Sequence, residues 1–182
     1  LTPSSPQQAL PHSLAEREEV RDGSSYDVYV RNRTGGPLEV ALSVDNGALV
    51  ATPEQSMHQL LAPLERALLA RFEPGPGSGP RYSLRVVPGD PHAIPDEIVY
   101  SLPLDEDSPW EFGQAFHGGF SHNDEQNLYA VDLIVPEGTP VLAARDGIVT
   151  LVESGYGRGG LNRKQDATRA NQIMVLHPDG TM

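Results

Sequence analysis

Alternation of apolar and polar residues runs through the first half of the chain. Tyr26-Asp27-Val28-Tyr29-Val30-Arg31-Asn32 alternates and predicts a half-buried strand. Thr34-Gly35-Gly36-Pro37 follows as a turn. Leu38-Glu39-Val40-Ala41-Leu42-Ser43-Val44 alternates again, and Asn46-Gly47 after it marks a hairpin. Tyr82-Ser83-Leu84-Arg85-Val86-Val87 and Ile98-Val99-Tyr100-Ser101-Leu102-Pro103-Leu104 read as further strands, with the turn Pro88-Gly89-Asp90-Pro91 after the first. Residues 54–73 carry a mixed pattern. Leu60, Leu61, Leu64, Leu68, Leu69 and Phe72 fit helical spacing, but Pro63 interrupts it, so a short helix from residue 63 competes with strand and loop. Residues 74–80, all Pro, Gly and Ser, predict a loop. Residues 1–15 are rich in Pro, Ser and Gln and predict disorder, and the charged residues 16–22 predict a turn of helix or a loop.

These patterns predict an all-β chain. Residues 1–19 form a disordered or extended lead, and 20–108 a small antiparallel β-sandwich. Asp105-Glu106-Asp107-Ser108-Pro109 is the natural boundary, and 109–182 forms a second β-domain. Strands are expected there near 130–135, 140–144, 147–153 and 171–177. Pro136-Glu137-Gly138-Thr139-Pro140 and Arg145-Asp146-Gly147 supply turns.

Composition narrows the chemistry. The 182 residues include 17 Pro and 18 Gly, which suits short strands and many turns. A formal net charge of −12 argues against nucleic acid or an anionic membrane surface as a partner. Cysteine is absent, which removes disulfides and thiolate metal sites. Any metal must bind through His and carboxylate. No run approaches the ~20 apolar residues of a membrane span. Leu1-Thr2-Pro3-Ser4-Ser5-Pro6 has neither a start Met nor an apolar core, so the chain reads as a processed or trimmed form.

Residues 119–149 concentrate the candidate chemistry. His122 and Asp132 stand ten residues apart, separated by a polar loop and followed by a β-rich segment. Zinc takes such a mixed imidazole and carboxylate donor set. Asp132 is set between Leu128-Tyr129-Ala130-Val131 and Leu133-Ile134-Val135, where a carboxylate is costly unless paired or metal-bound. The plainer alternative is a hydrogen-bonded structural Asp. His117 either lines the same cleft or sits on a surface loop. His177, at a strand end before Pro178-Asp179-Gly180, is either a supporting residue of the site or an exposed one. Asp124 and Glu125 are substitute ligands or solvated loop charges. Residues 155–164, Gly-rich and basic, form a groove wall or a surface loop. They hold no phosphate-loop pattern. His12, His58 and His92 read as surface residues.

The stretch from Gln114 to Val149, continued by Asn171-Gln172-Ile173-Met174-Val175-Leu176-His177-Pro178-Asp179-Gly180-Thr181, resembles the start of an M23-type metallopeptidase domain. This is the lysostaphin- and LytM-like group of zinc endopeptidases, which cut the peptide cross-links or stems of bacterial peptidoglycan. The resemblance rests on His122…Asp132, Gly138-Thr139-Pro140-Val141-Leu142-Ala143, Asp146-Gly147-Ile148-Val149 and the strand ending at Asp179-Gly180, over roughly residues 112–182. It implies a partial M23-type β-sheet domain, related to a barrel-sandwich, after the N-terminal sandwich. It implies Zn2+ held by His122 and Asp132, a peptidoglycan peptide as substrate and a secreted or periplasmic location. The family's second motif, His-x-His, supplies the last zinc ligand and a catalytic base. No His-x-His occurs in the 182 residues, so the resemblance puts that motif beyond Met182.

Two other functions compete. One is a non-catalytic binding or regulatory module that keeps the fold without the zinc. The other is a biotinyl- or lipoyl-type carrier, to which the Gly-Thr-Pro-Val and Asp-Gly-x-Val turns are also suited. Carriers need a lysine on a tight hairpin, and the single lysine here, Lys164, lies in the Gly/Arg-rich loop.

Overall fold

The computed structural model describes residues 14–45, 57–73, 80–123, 127–157 and 170–182. Residues 1–13, Asn46-Gly47, 74–79, Asp124, Glu125 and most of the 155–164 loop with Lys164 lie outside the described residues, as does His12. The described elements are β-strands in small antiparallel sheets. Among the described residues no helix is long and apolar enough to cross a membrane. The chain packs as two units, Leu1–Asp96 with Gly147–Met182, and Glu97–Asp146.

In the first unit, β1 (Ala15–Asp22), β2 (Ser25–Asn32) and β5 (Arg66–Phe72) form one sheet in the order β1-β2-β5. β3 (Leu38–Val44) lies between β4 (His58–Leu61) and β6 (Tyr82–Pro88) in a second sheet. The alternation read in the sequence sets which faces are buried. Val28 and Val30 of β2, Leu38, Val40 and Leu42 of β3, and Leu69 and Phe72 of β5 join one core with Tyr82, Leu84 and Val86 of β6. Glu19 of β1 ties the sheets together, because the hydroxyls of Tyr26 and Tyr82 both donate to its carboxylate. Burial, and then this bond, raises both phenols above their ordinary pKa.

Several sequence expectations are corrected here. Residues 16–22 form neither helix nor loop; they pair along their whole length with β2. An edge strand tolerates such charges because one side faces solvent. Glu18 bonds Arg66 at 2.8 Å, and the Arg66 guanidinium lies 3.6 Å over the Tyr29 ring. Leu14 and Ala15, expected in the disordered lead, are buried in the core. Residues 58–72 resolve into two strands. Of the leucines that mimic a helical stripe, Leu60 and Leu61 belong to β4, Leu68 and Leu69 to β5, and Leu64 to the turn between them. No helix starts at Pro63, because Leu64 takes the left-handed φ of +62°; the turn closes with Glu65 N–H donating to Ala62 O at 3.1 Å.

The loop after β2 is held by a buried polar knot. The Asn32 amide donates to Gly36 O at 2.8 Å and Ala62 O at 2.9 Å, while its oxygen accepts from Thr34 N–H and Thr34 Oγ1. Every polar group of this fully buried pair is thereby used, as burial requires. β9 (Ile148–Glu153) and β10 (Gln172–Leu176) form a hairpin of the same unit. Their Leu151 and Met174 pack on the core, and Gly35 N–H donates to Thr150 O at 2.8 Å.

In the second unit, β7 (Glu111–Gln114), which the sequence pattern did not predict, pairs with β8 (Asp132–Ile134). Residues 98–104 and 140–144, expected as strands, form no ladder. Two bonds join them, Ser101 N–H to Ala144 O and Leu142 N–H to Pro103 O, each 2.9 Å. Pro103 and Pro140 withhold the donors a longer ladder needs.

Asp27 and Arg71 face each other across β2 and β5. Asp27 is 2% exposed, and Arg71 grips it in a fork with bonds of 2.7 and 2.5 Å. These bonds hold the Asp27 carboxyl below its ordinary value. A carboxyl with a lowered folded pKa stabilises the fold above its unfolded pKa, about 4, and that contribution fades as pH falls through the lowered value. Asp27→Asn is expected to cost about 1.5–3 kcal/mol at pH 7. The gap from wild type should narrow at pH 3, as read from urea unfolding midpoints at both pH values.

Candidate functional site

Asp132 opens β8 opposite Gln114, the last residue of β7. The ladder is bulged between Phe112 and Gln114, around Gly113. A side chain at Gly113 would press on Asp132 Cβ and Ile134 at 3.2 Å, so glycine lets the two strands close here. The loop leaving β7 turns back at once. Gly118 N–H donates to Ala115 O at 3.2 Å, His122 N–H to Gly118 O at 3.0 Å, and His117 N–H to Leu128 O at 2.8 Å.

That path seats His122 with 3% exposure, beside Asp132, whose side chain is 52% exposed. His122 Nδ1 is 3.0 Å from the Ala115 carbonyl oxygen, and His122 Nε2 is 3.1 Å from Asp132 Oδ1. A carbonyl only accepts, so Nδ1 carries a proton. A neutral imidazole has one N–H, which leaves the Nε2 lone pair facing a carboxylate. A proton between Nε2 and Oδ1 makes this a hydrogen bond, and the same two atoms are donors of the kind a metal ion takes. Solvent reaches this contact past the half-exposed carboxylate. The arrangement therefore offers one nitrogen and one oxygen donor to a cation, with the ring oriented from behind.

The other sequence candidates stand elsewhere. His117 shares the loop but is exposed, in the left-handed region at φ +58°, with its ring edge-on to Tyr129 at 5.4 Å. Tyr129 in turn meets Phe116 edge-on at 5.8 Å. His177 belongs to the first unit. Its backbone closes the turn after β10, donating to Thr181 O at 2.8 Å and accepting from Gly180 N–H at 3.0 Å. Among the described residues no group of three His, Asp or Glu side chains is placed to hold a metal.

Sequence reasoning passed over two participants, the Ala115 carbonyl and Gln114. The Gln114 side-chain amide donates to Ser121 Oγ at 2.8 Å and accepts from Phe120 N–H at 3.2 Å. A backbone carbonyl leaves no mark in a sequence, and one glutamine before a glycine-rich loop has no distinctive spacing.

The chain matches no protein-family model, no curated protein sequence and no solved structure.

Gly118 lies directly on Gln114, where an added Cβ would fall 2.2 Å from Cγ and 2.4 Å from Cδ. Gly118→Ala must displace the Gln114 side chain. The expected cost is about 1–3 kcal/mol of local stability. Hydrogen exchange reads it as faster exchange of the Phe120 and His122 amides with no change in the strands of the first unit.

Proposed function

We propose that this chain carries part of a zinc-dependent endopeptidase of the M23 type, acting on peptide cross-links or stems of bacterial peptidoglycan in the cell envelope. The observation that supports it is the facing pair His122 Nε2 and Asp132 Oδ1, 3.1 Å apart, with Nδ1 bonded to a backbone carbonyl. Two ligands on a tetrahedral zinc with bonds of about 2.0–2.1 Å lie about 3.3 Å from each other. The pair is thus near the separation the ion needs. Metal-bound histidines habitually donate their other ring N–H to a carbonyl or carboxylate, as His122 does to Ala115.

In this reading His122 and Asp132 are two of the zinc ligands. Bound zinc supplies a water of lowered pKa and a Lewis acid for the scissile carbonyl. The residues of this chain hold and orient. Burial of His122 restricts its ring to one pose, and the exposed flank of Asp132 leaves the far side open to substrate and water. The paired three-stranded sheets of the first unit, on one shared core, read as a β-sandwich accessory module. The resemblance assigns a third ligand and a base to His-x-His, which the 182 residues do not contain. A site with two protein ligands should bind zinc, but weakly.

Metal analysis and titration calorimetry on the purified chain test this. Zinc should bind near one per chain. His122→Ala and Asp132→Ala should each remove that binding while the fold, followed by circular dichroism, persists. A natively folded chain indifferent to zinc favours instead a non-catalytic binding module of the same fold.

A further inference from the structure

We propose that Gln114 is a positioning residue for His122, its amide clamping the loop so that the imidazole meets Asp132. Only the metal in the test below rests on the functional reading; the clamp itself rests on geometry. Gln114 is the Cα partner of Asp132 across β7 and β8, so its backbone is anchored where the carboxylate starts. The Phe120 N–H requires an acceptor, which turns Oε1 of Gln114 toward it and Nε2 toward Ser121 Oγ. The two bonds grip consecutive residues, Phe120 and Ser121, immediately before His122. Gly118 closes over the same side chain with no room for a Cβ, and its carbonyl accepts the His122 N–H at 3.0 Å. The carbonyl that holds Nδ1 belongs to Ala115, the residue after Gln114. One side chain therefore ties the strand opposite Asp132 to the two residues that lead into His122, while the residue next to it, Ala115, supplies the carbonyl at the ring. Filling space alone would not require a polar group here; holding one N–H and one hydroxyl does.

The test uses the full chain, with zinc as the probe, and the variants Gln114→Ala and Gln114→Glu. Glutamate retains two acceptors. One takes the Phe120 N–H, and the other takes the Ser121 hydroxyl, which rotates to donate. Gln114→Ala should weaken zinc binding by roughly 10–100-fold, the usual effect of losing a residue that orients a metal ligand. Gln114→Glu should recover wild-type affinity or better. In metal-free protein, the proton NMR resonance of the His122 Nδ1–H should be protected in wild type and Gln114→Glu, and lost in Gln114→Ala. Core resonances of Val28 and Val30 should stay fixed in all three. Gln114→Ala with wild-type affinity and a protected ring proton overturns the proposal. So does a Gln114→Glu variant that recovers neither. A wild-type chain that takes up no zinc removes the functional reading and leaves the clamp to be decided by the ring proton alone.

Discussion

A single imidazole set between two acceptors is the constraint on which the functional account depends. His122 has a carbonyl at one nitrogen and a carboxylate at the other, and a neutral ring can satisfy only one of them. The need left over is for a proton or a metal ion between Nε2 and the carboxylate. Burial sharpens it, because water has little access to a ring that is 3% exposed. The loop from β7 to β8 is arranged around this requirement. A bulge at Gly113 lets Asp132 approach, tight turns bring Ala115 behind the ring, and the Gln114 amide holds Phe120 and Ser121 just before His122. A metal ion between Nε2 and the carboxylate would give the pair the proposed zinc chemistry; a proton there makes it a structural hydrogen bond.

The first unit solves a different problem with the same tools. Its polar residues inside the sheets find their partners locally. Asp27 is held by Arg71, and Glu39 by His58 at 2.6 Å and Arg85 at 3.4 Å. Asn32 and Thr34 answer the free backbone groups of two connections. The apolar faces of the two sheets can then share one core, which the β9–β10 hairpin joins through Leu151 and Met174. These paired charges add modestly to stability; they chiefly prevent the cost of an unpaired buried ion.

How much of this could be read from the chain differs element by element. β2, β3 and β6 were plain, because one face is buried and the other is not, and alternation follows from the pleat. β1 was hidden by its charges, since an edge strand can be polar on both faces. β4 and β5 were obscured because five apolar residues on two strands, with Leu64 in the turn between them, happen to match a helical period. The prolines that should have cautioned against strands at 98–104 and 140–144 lie inside the runs themselves. At the site, His122 and Asp132 could be named from residue type and spacing. The 3.1 Å contact, the Ala115 carbonyl and the Gln114 clamp could not, because each depends on a turn and a strand register rather than on a side-chain pattern.

X-ray absorption at the zinc edge of the metal-loaded chain examines the central claim most directly. The account predicts a shell of nitrogen and oxygen at about 2.0–2.2 Å, with multiple scattering from one imidazole that vanishes in His122→Ala. An oxygen-only shell, or an imidazole contribution untouched by that substitution, would contradict it.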